Sequence, residues 1–382
     1  MKIEQRLWTT AQGWEILSPQ QFPAAPQLVL AFGDRVLVED EQYLSDLRTF
    51  YPNSPILLGS TGGEILGRRV RDHSLAVSAL YFEKTTLVFA ETEIRDFGDS
   101  FAAGERLAAA LPPTDLVHVL VFSDGTHMNG SELTRSLNAA FPPSVTVTGG
   151  FMGDGINFKQ TAVGLNARAQ EGKVIAVGLY GSALSVGYGS FGGWDAFGLD
   201  RTITKSKGAV LYELDGKPAL ELYKNYLGER AAGLPVTALY FPLRLRLGAG
   251  ADASEVIRTV FDVNEADQSV TAFGDMPEGT QVTLMKANFG RLIDGAVSAG
   301  TMSLEKMGEL KPEFALLVSC VGRKMVLKDQ TEEEIEAVSN LFGEHTPIAG
   351  FYSYGEICPF GKENTQCQFH NQTMTITVFR EV

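Results

Sequence analysis

The chain has 382 residues, 44% hydrophobic and 20% charged, which suits a soluble globular protein with a large buried core. Its formal charge of −14 excludes a general nucleic-acid or anionic-membrane surface, since both need clustered Lys and Arg.

Taken in chain order, LVLAFGDR (28–35) is a short apolar run that reads as a buried strand. YLSDLRTFYP (43–52) then sets Tyr43, Leu44, Leu47 and Phe50 or Tyr51 on one helical face, and Pro52 ends it. PILLGSTGGEI (55–65) is a second strand running into a Gly-rich turn and Glu64. The same order returns in VHVLVFSDG (117–125), SELTRSLNAAF (131–141) and VTVTGGFMGDG (145–155). Phe32 to Glu64 and Phe122 to Asp154 share a spacing of 32 residues. A third copy follows in FALLVSCVGR (314–323), TEEEIEAVSNLF (331–342) and PIAGFYSYGEI (347–357). Its helix has Thr331 and Glu334 as a capping box and Ile335, Val338 and Phe342 as an apolar stripe. A further strand is expected after each acid, over 74–82, 160–167 and 372–379.

Between the copies, 173–193 reads as paired strands, 199–215 as a hairpin and 217–227 as a helix. GERAAGLPV (228–236) marks a domain junction, 236–247 opens the second domain, and 261–288 reads as two hairpin strands around MPEG. The expected fold is therefore mixed α/β. Its two domains, 25–227 and 228–382, combine repeated strand–helix–strand units, Gly-acid turns and added antiparallel hairpins.

Strand–helix–strand within a short span predicts parallel neighbours joined by a right-handed crossover. Both strands then end on one sheet edge, where open α/β sheets bind ligands. The strand tails at Asp34, Asp124 and Cys320 to Arg323 should approach Gly63-Glu64, Gly153-Asp154 and Gly355-Glu356. The competing reading is structural: glycine supplies a positive φ and the acid caps backbone N–H groups.

Familiar chemical motifs are missing. GYGSFG (187–192) spells a dinucleotide fingerprint, but a hairpin follows it instead of a helix. No Walker A, H-E-x-x-H or G-x-S-x-G stretch occurs. Cys358, Cys367 and His370 match no standard zinc spacing. Three cysteines cannot form a disulfide framework, and an odd count fits a reducing cytosol. MKIEQRLWTTAQGWEIL is no signal peptide and no stretch has transmembrane length, so a cytoplasmic location is expected. Cys320 at the edge would be a nucleophile only if a cation lowered its pKa; a buried thiol is the plainer reading. Of five histidines, His127 lies in the loop after a core strand and His73 just before one. His370 stands in the terminal FHNQT (369–373), whereas His118 packs in a strand and His345 is solvated.

STGGEI (60–65), GGFMGD (149–154), CVGR (320–323), GFYSYGEI (350–357) and FHNQT together resemble the FIST family over nearly the whole chain. The resemblance implies a FIST N-terminal domain followed by a FIST C-terminal domain, acting as a stand-alone intracellular sensor in signal transduction. Some such proteins carry haem b, sense nitric oxide and regulate a partner histidine kinase; others act beside cyclic-di-GMP enzymes. Its signature positions fall here on Gly63, Glu64, Gly149, Gly150, Asp154, Cys320, Arg323, Glu356, His370 and Asn371. In the haem reading His370, His127 or His73 would bind iron, and the protein is not an enzyme. An amino-acid sensor without haem is the alternative: Glu64, Asp154 or Glu356 would meet the ammonium, and Arg323 the carboxylate. A Cys320-dependent enzyme and a protein-binding scaffold are the remaining readings.

Overall fold

The computed structural model describes residues 1–94, 97–248, 254–361 and 365–382. The three expected units are all present. Their lead strands are Leu28–Gly33, Leu116–Ser123 and Phe314–Cys320. Their helices are Glu41–Phe50, Gly130–Ala140 and Thr331–Phe342. Their second strands are Ile56–Ser60, Thr146–Phe151 and Ile348–Ser353. Each pair is parallel, with Phe32 opposite Gly59, Phe122 opposite Gly150 and Val318 opposite Phe351. An antiparallel strand flanks each lead strand: Ser74–Tyr81, Lys173–Tyr180 and Met374–Glu381.

The strand after each turn leaves its own unit. Glu64–Leu66 pairs with Ile348–Ser353 of the third unit, Val163–Leu165 with Ile56–Ser60 of the first, and Gly355–Pro359 with Thr146–Phe151 of the second. The exchange closes a ring: first to third, third to second, second to first. Three backbone hydrogen bonds repeat it at the centre. Gly62 N donates to Tyr352 O (2.7 Å), Tyr354 N to Phe151 O (3.0 Å) and Gly153 N to Ser60 O (3.1 Å). Inside lie Phe32, Phe122 and Phe351, with ring centroids 4.6–6.3 Å apart, beside the buried Met152. Each large side chain so buried contributes about 1.5–3 kcal/mol, so one shared core holds the three sheets together.

This exchange overturns several expectations. Of the strand expected over 160–167 only Val163–Leu165 is extended, and it joins the first unit's sheet. Residues 173–193 do form two strands, but they are not paired with each other. Lys173–Tyr180 stays with the second unit, and Leu184–Phe191 crosses to Met374–Glu381. Over 261–288, Val260–Asn264 and Ser269–Ala272 make the hairpin, while Gln281–Lys286 pairs with Leu243–Leu247. Thr331 is no cap either: its hydroxyl donates to Lys328 O, and Glu334 turns inward. The expected junction at 228–236 holds two short 3-10 turns. Hydrogen-bonded sheets cross it, because N-terminal and C-terminal strands interleave.

Several elements carry no expectation from sequence, among them the hairpin Lys2–Thr9 with Gly13–Ser18, the strand Thr86–Glu93, the helix Ser100–Ala109 and the long helix Phe289–Met307. The last explains GYGSFG. A Cβ at Gly187 would stand 2.1 Å from Ser303 O, and one at Gly189 2.2 Å from Ala299 O. Those glycines let the helix backbone rest on the strand. A fourth sheet, built from strands between Asp195–Ala196 and Gln281–Lys286, has a core of its own around Leu211, Leu220, Leu245 and Val270. No helix among the described residues is long and apolar enough to cross a membrane.

Candidate functional site

The Gly-acid turns come together at the centre, and two of their acids point into protein. Glu64 and Glu356 are 2% and 0% exposed and sit in matching cradles. Thr61 Oγ1 donates to Glu64 Oε1 (2.6 Å), and Ser74 gives its N–H and hydroxyl to Oε2. Ser353 Oγ donates to Glu356 Oε1 (2.6 Å), with Thr373 N–H and hydroxyl on Oε2. Burial pushes these carboxyls up, Glu64 to about 7 and Glu356 to about 8, although the hydroxyl donors oppose it. Asp154 does something else: its oxygens accept N–H groups from Phe158, Lys159 and Gln160 and the Tyr354 hydroxyl.

Other sequence candidates are also engaged internally. Gly63 gives its N–H to Thr61 and its carbonyl to Tyr352 N; Gly149 and Gly150 seat the strand bearing Ile357 and Glu356. Arg323 is 0% exposed and held by Glu334, Leu292 O and Gly192 O, leaving it no part as a carboxylate receptor. Cys320 is buried, which pushes its thiol up and disarms it as a nucleophile. Asn371 Oδ1 takes Thr259 N–H, and its amide donates to His370 O. The cysteines are free, and no cluster among the described residues would hold a metal ion.

The three candidate iron ligands separate clearly. His370 is 0% exposed, its Nε2 lies on Cys358 O (3.0 Å), and burial lowers its pKa to about 4. Its other nitrogen, Nδ1, is sealed from solvent without a partner. His73 is 85% exposed, with Nδ1 on Asp34. Neither position fits a haem. His127 differs. Its Nδ1 faces Asp124 Oδ1 at 3.2 Å, and among the described residues its Nε2 meets no partner. A carboxylate behind the imidazole is the arrangement that orients a metal-bound histidine.

His127 also opens onto a cavity of about 580 Å³, within the usual range for small ligands. The second lead strand delivers it. Asp124, fully buried, takes the N–H groups of Thr126 and His127 (both 2.7 Å) and of Gly172 (2.9 Å). That network curls residues 125–130 outward at the sheet edge. Facing the loop are Phe158, Lys159, Phe261, Phe273, Tyr354 and Phe369. Phe261 stacks on Phe273 at 4.2 Å, Phe158 on Tyr354 at 4.5 Å, and Phe151 meets Phe369 at 4.8 Å. Behind Phe369 lies Arg258, 3% exposed, with its guanidinium 5.8 Å from the ring. A larger, open cavity of about 870 Å³ is lined by Asp195, Glu229, Arg230 and Lys286; Arg291 binds Asp195, and Arg230 and Lys286 lie over Phe241 and Phe197.

The FIST N domain model matches residues 27–217, and the FIST C domain model matches residues 219–359. The chain belongs to the FIST family. FIST domains are sensory, ligand-binding modules of signal transduction, and the aromatic cleft takes walls from both FIST N and FIST C. The uncharacterized protein MJ1623 of Methanocaldococcus jannaschii is 28% identical over 155 residues, 38% of this chain and 29% of that protein. The chain thus spans under a third of that relative's length. Among solved structures, a cyanuric acid hydrolase from A. caulinodans aligns over 100% of this chain and 98% of its own, at 10% identity and a TM-score of 0.38.

The two motifs crowded at the end of the FIST C side do reach the cleft, through Tyr354 and Phe369 and not through their polar neighbours Glu356 and His370. Sequence reasoning missed Phe158, Phe261 and Phe273. Their only signal was aromatic residues in turn and edge segments, where a structural core does not need them.

Proposed function

We propose that this FIST protein is a sensor whose small-molecule ligand occupies the aromatic cleft, and that it binds its ligand without turning it over. The supporting observation is the convergence of the strand-edge loop 125–130 with Phe273 and Tyr354 on one cavity of about 580 Å³. A ligand held between FIST N and FIST C walls has a route to a signal, because it can favour one arrangement of them. Ala209 lines the cleft from a turn, so Ala209→Trp should fill it without disturbing the core. In a thermal-shift screen of cell metabolites, the compound that stabilises the native protein should leave Ala209→Trp unmoved. Equal stabilisation of both would place the ligand elsewhere and sink the reading.

The finer form of the proposal is a haem b sensor for nitric oxide that regulates a partner histidine kinase or a cyclic-di-GMP enzyme. His127 would hold the iron, Asp124 would orient the imidazole, and Lys159 would meet a propionate. Haem would supply an iron position for nitric oxide. Titration with haem should give a one-to-one Soret band that His127→Ala abolishes; no stoichiometric binding would end this form alone. The amino-acid and Cys320 readings lack comparable support, since Glu64, Glu356 and Arg323 are spoken for and Cys320 is sealed.

A further inference from the structure

The walls of the cleft form two stacked pairs with a looser joint between them. Phe261 lies in a strand of the fourth sheet and Phe273 directly follows another, its N–H donating to Thr259 O; Phe158 and Tyr354 belong to the central turns. Within the pairs the centroids stand 4.2 and 4.5 Å apart with nearly parallel planes, at 26° and 20°. Between them, Phe273 and Phe158 are 6.1 Å apart and tilted by 32°. A flat ring inserted there needs about 3.5 Å on each side, or roughly 7 Å in all. The joint is therefore within about 1 Å of accepting an aromatic ring between two others.

Charge adds a second requirement. The two most deeply buried arginines contrast: Arg323 is paired with Glu334, whereas Arg258 has no carboxylate within 4.0 Å among the described residues. Arg258 hydrogen-bonds instead to carbonyls, Phe369 O (2.8 Å), Asp275 O and Ile257 O, and to Ser131 Oγ. Its Nε lies 2.8 Å from where a Cβ on Gly274 would be, so only Phe369 and Gly274 separate it from the cavity they line. A buried cation whose partners are neutral projects its field into a low-dielectric cleft. Asp275, whose carboxylate binds Asn129, offsets part of that field, and Lys159 at the wall adds to it.

Resting on the sensor reading above, we infer that the ligand is a planar aromatic anion whose ring slides between Phe158 and Phe273. Its negative group is drawn toward Arg258 and Lys159. Because Phe273 sits at the end of a strand of the fourth sheet and Phe158 in the central turns, the ring acts as a wedge between them. Tyr354 ties the wedge to the hub through Asp154, which itself holds the backbone of Phe158.

The test uses haem-free full-length protein and three probes followed by calorimetric titration: 1-naphthoate, its neutral analogue 1-naphthylmethanol, and cyclohexanecarboxylate. Naphthoate should bind at least fivefold tighter than the alcohol and tenfold tighter than the saturated acid. Phe273→Ala and Phe158→Ala should each weaken naphthoate about tenfold, while Phe289→Ala, on the far cavity, leaves it unchanged. Equal binding of the saturated acid overturns the aromatic requirement and leaves the sensor reading intact. Equal binding of the alcohol overturns the charge requirement. If naphthoate binds with Phe273→Ala unaffected, or does not bind, the wedge is wrong. Circular dichroism melts of both alanine variants separate lost binding from lost folding.

Discussion

At the end of the third lead strand, Cys320 passes straight into the helix Val321–Leu327, which seals the edge; at the matching point of the second, Asp124 turns the chain into an open loop. The two positions are equivalent, since Cys320 N donates to Thr373 O (3.0 Å) and Asp124 N to Lys173 O (2.8 Å) on the flanking strands. In the third unit Val321 rests against Gly62, and Arg323 is pinned between Glu334 and two carbonyls. In the second, no such helix covers the edge, and His127 and the aromatic cleft remain open. The turns differ in step. Glu356 falls five residues after its strand's Phe351 and reaches the Thr373 hydroxyl; Asp154 falls four after Gly150, where the matching flanking residue is Lys173. A shorter acid, held by the Tyr354 hydroxyl and not by a Ser/Thr pair, organises residues 158–160, of which Phe158 and Lys159 line the cleft. One backbone plan thus yields a sealed edge or an open one, according to what its strand ends carry.

The largest expected effect lies on the sealed edge. Arg323→Met strands Glu334 as a buried carboxylate that keeps only Tyr352 and Ser319 as donors. Breaking a buried pair from one side costs about 3–5 kcal/mol, which a urea melt would register as a lower midpoint with unchanged slope. A change below about 1 kcal/mol would show that the pair is not what closes this edge.

Next in size is a pH effect. Glu64 and Glu356 have folded pKa values raised to about 7 and about 8, above the ordinary carboxyl value of 4.5. The folded state therefore holds these protons longer than the unfolded chain does. The stability they confer is complete below about pH 4.5 and is lost as pH rises through 7 to 8. Glutamine fits both cradles, its carbonyl accepting the N–H and hydroxyl of Ser74 or Thr373. The double variant Glu64→Gln/Glu356→Gln should flatten the fall in melting temperature between pH 5 and 8. Parallel curves for the two proteins would contradict it.

The units were legible in the sequence because their signals are local: alternating runs, a 3.6-residue stripe, and a turn rich in glycine. The exchange of strands between units was not, since Val163–Leu165 and Ile56–Ser60 are about a hundred residues apart and nothing in either names its partner. The helix Phe289–Met307 was missed because most of its buried face is small, Gly295, Ala296, Ala299, Gly300 and Ser303, with Leu292 and Met307 too far apart to make a bulky stripe. The site was half legible. Strand-end geometry located the edge, and His127 was named on it, but the polar signature residues proved to be the scaffold's own hydrogen-bond partners. The rings that face the cavity come from three separated segments, and only folding brings them together.

The smallest structural effect belongs to the open edge and separates scaffold from site most cleanly. His127 has 38% of its side chain exposed, and Asp124 keeps its three backbone N–H donors without the imidazole. His127→Ala should therefore change stability by no more than about 0.5 kcal/mol, as for an ordinary surface substitution. Asp124→Ala, by contrast, strands those donors and should cost about 1–3 kcal/mol. If the loop exists to present the imidazole, His127→Ala will lower affinity for the cleft's ligand while its melt overlays the native one. If the imidazole only braces the loop, His127→Ala will melt early, as Asp124→Ala does, and that result would turn the open edge into scaffold like the sealed one.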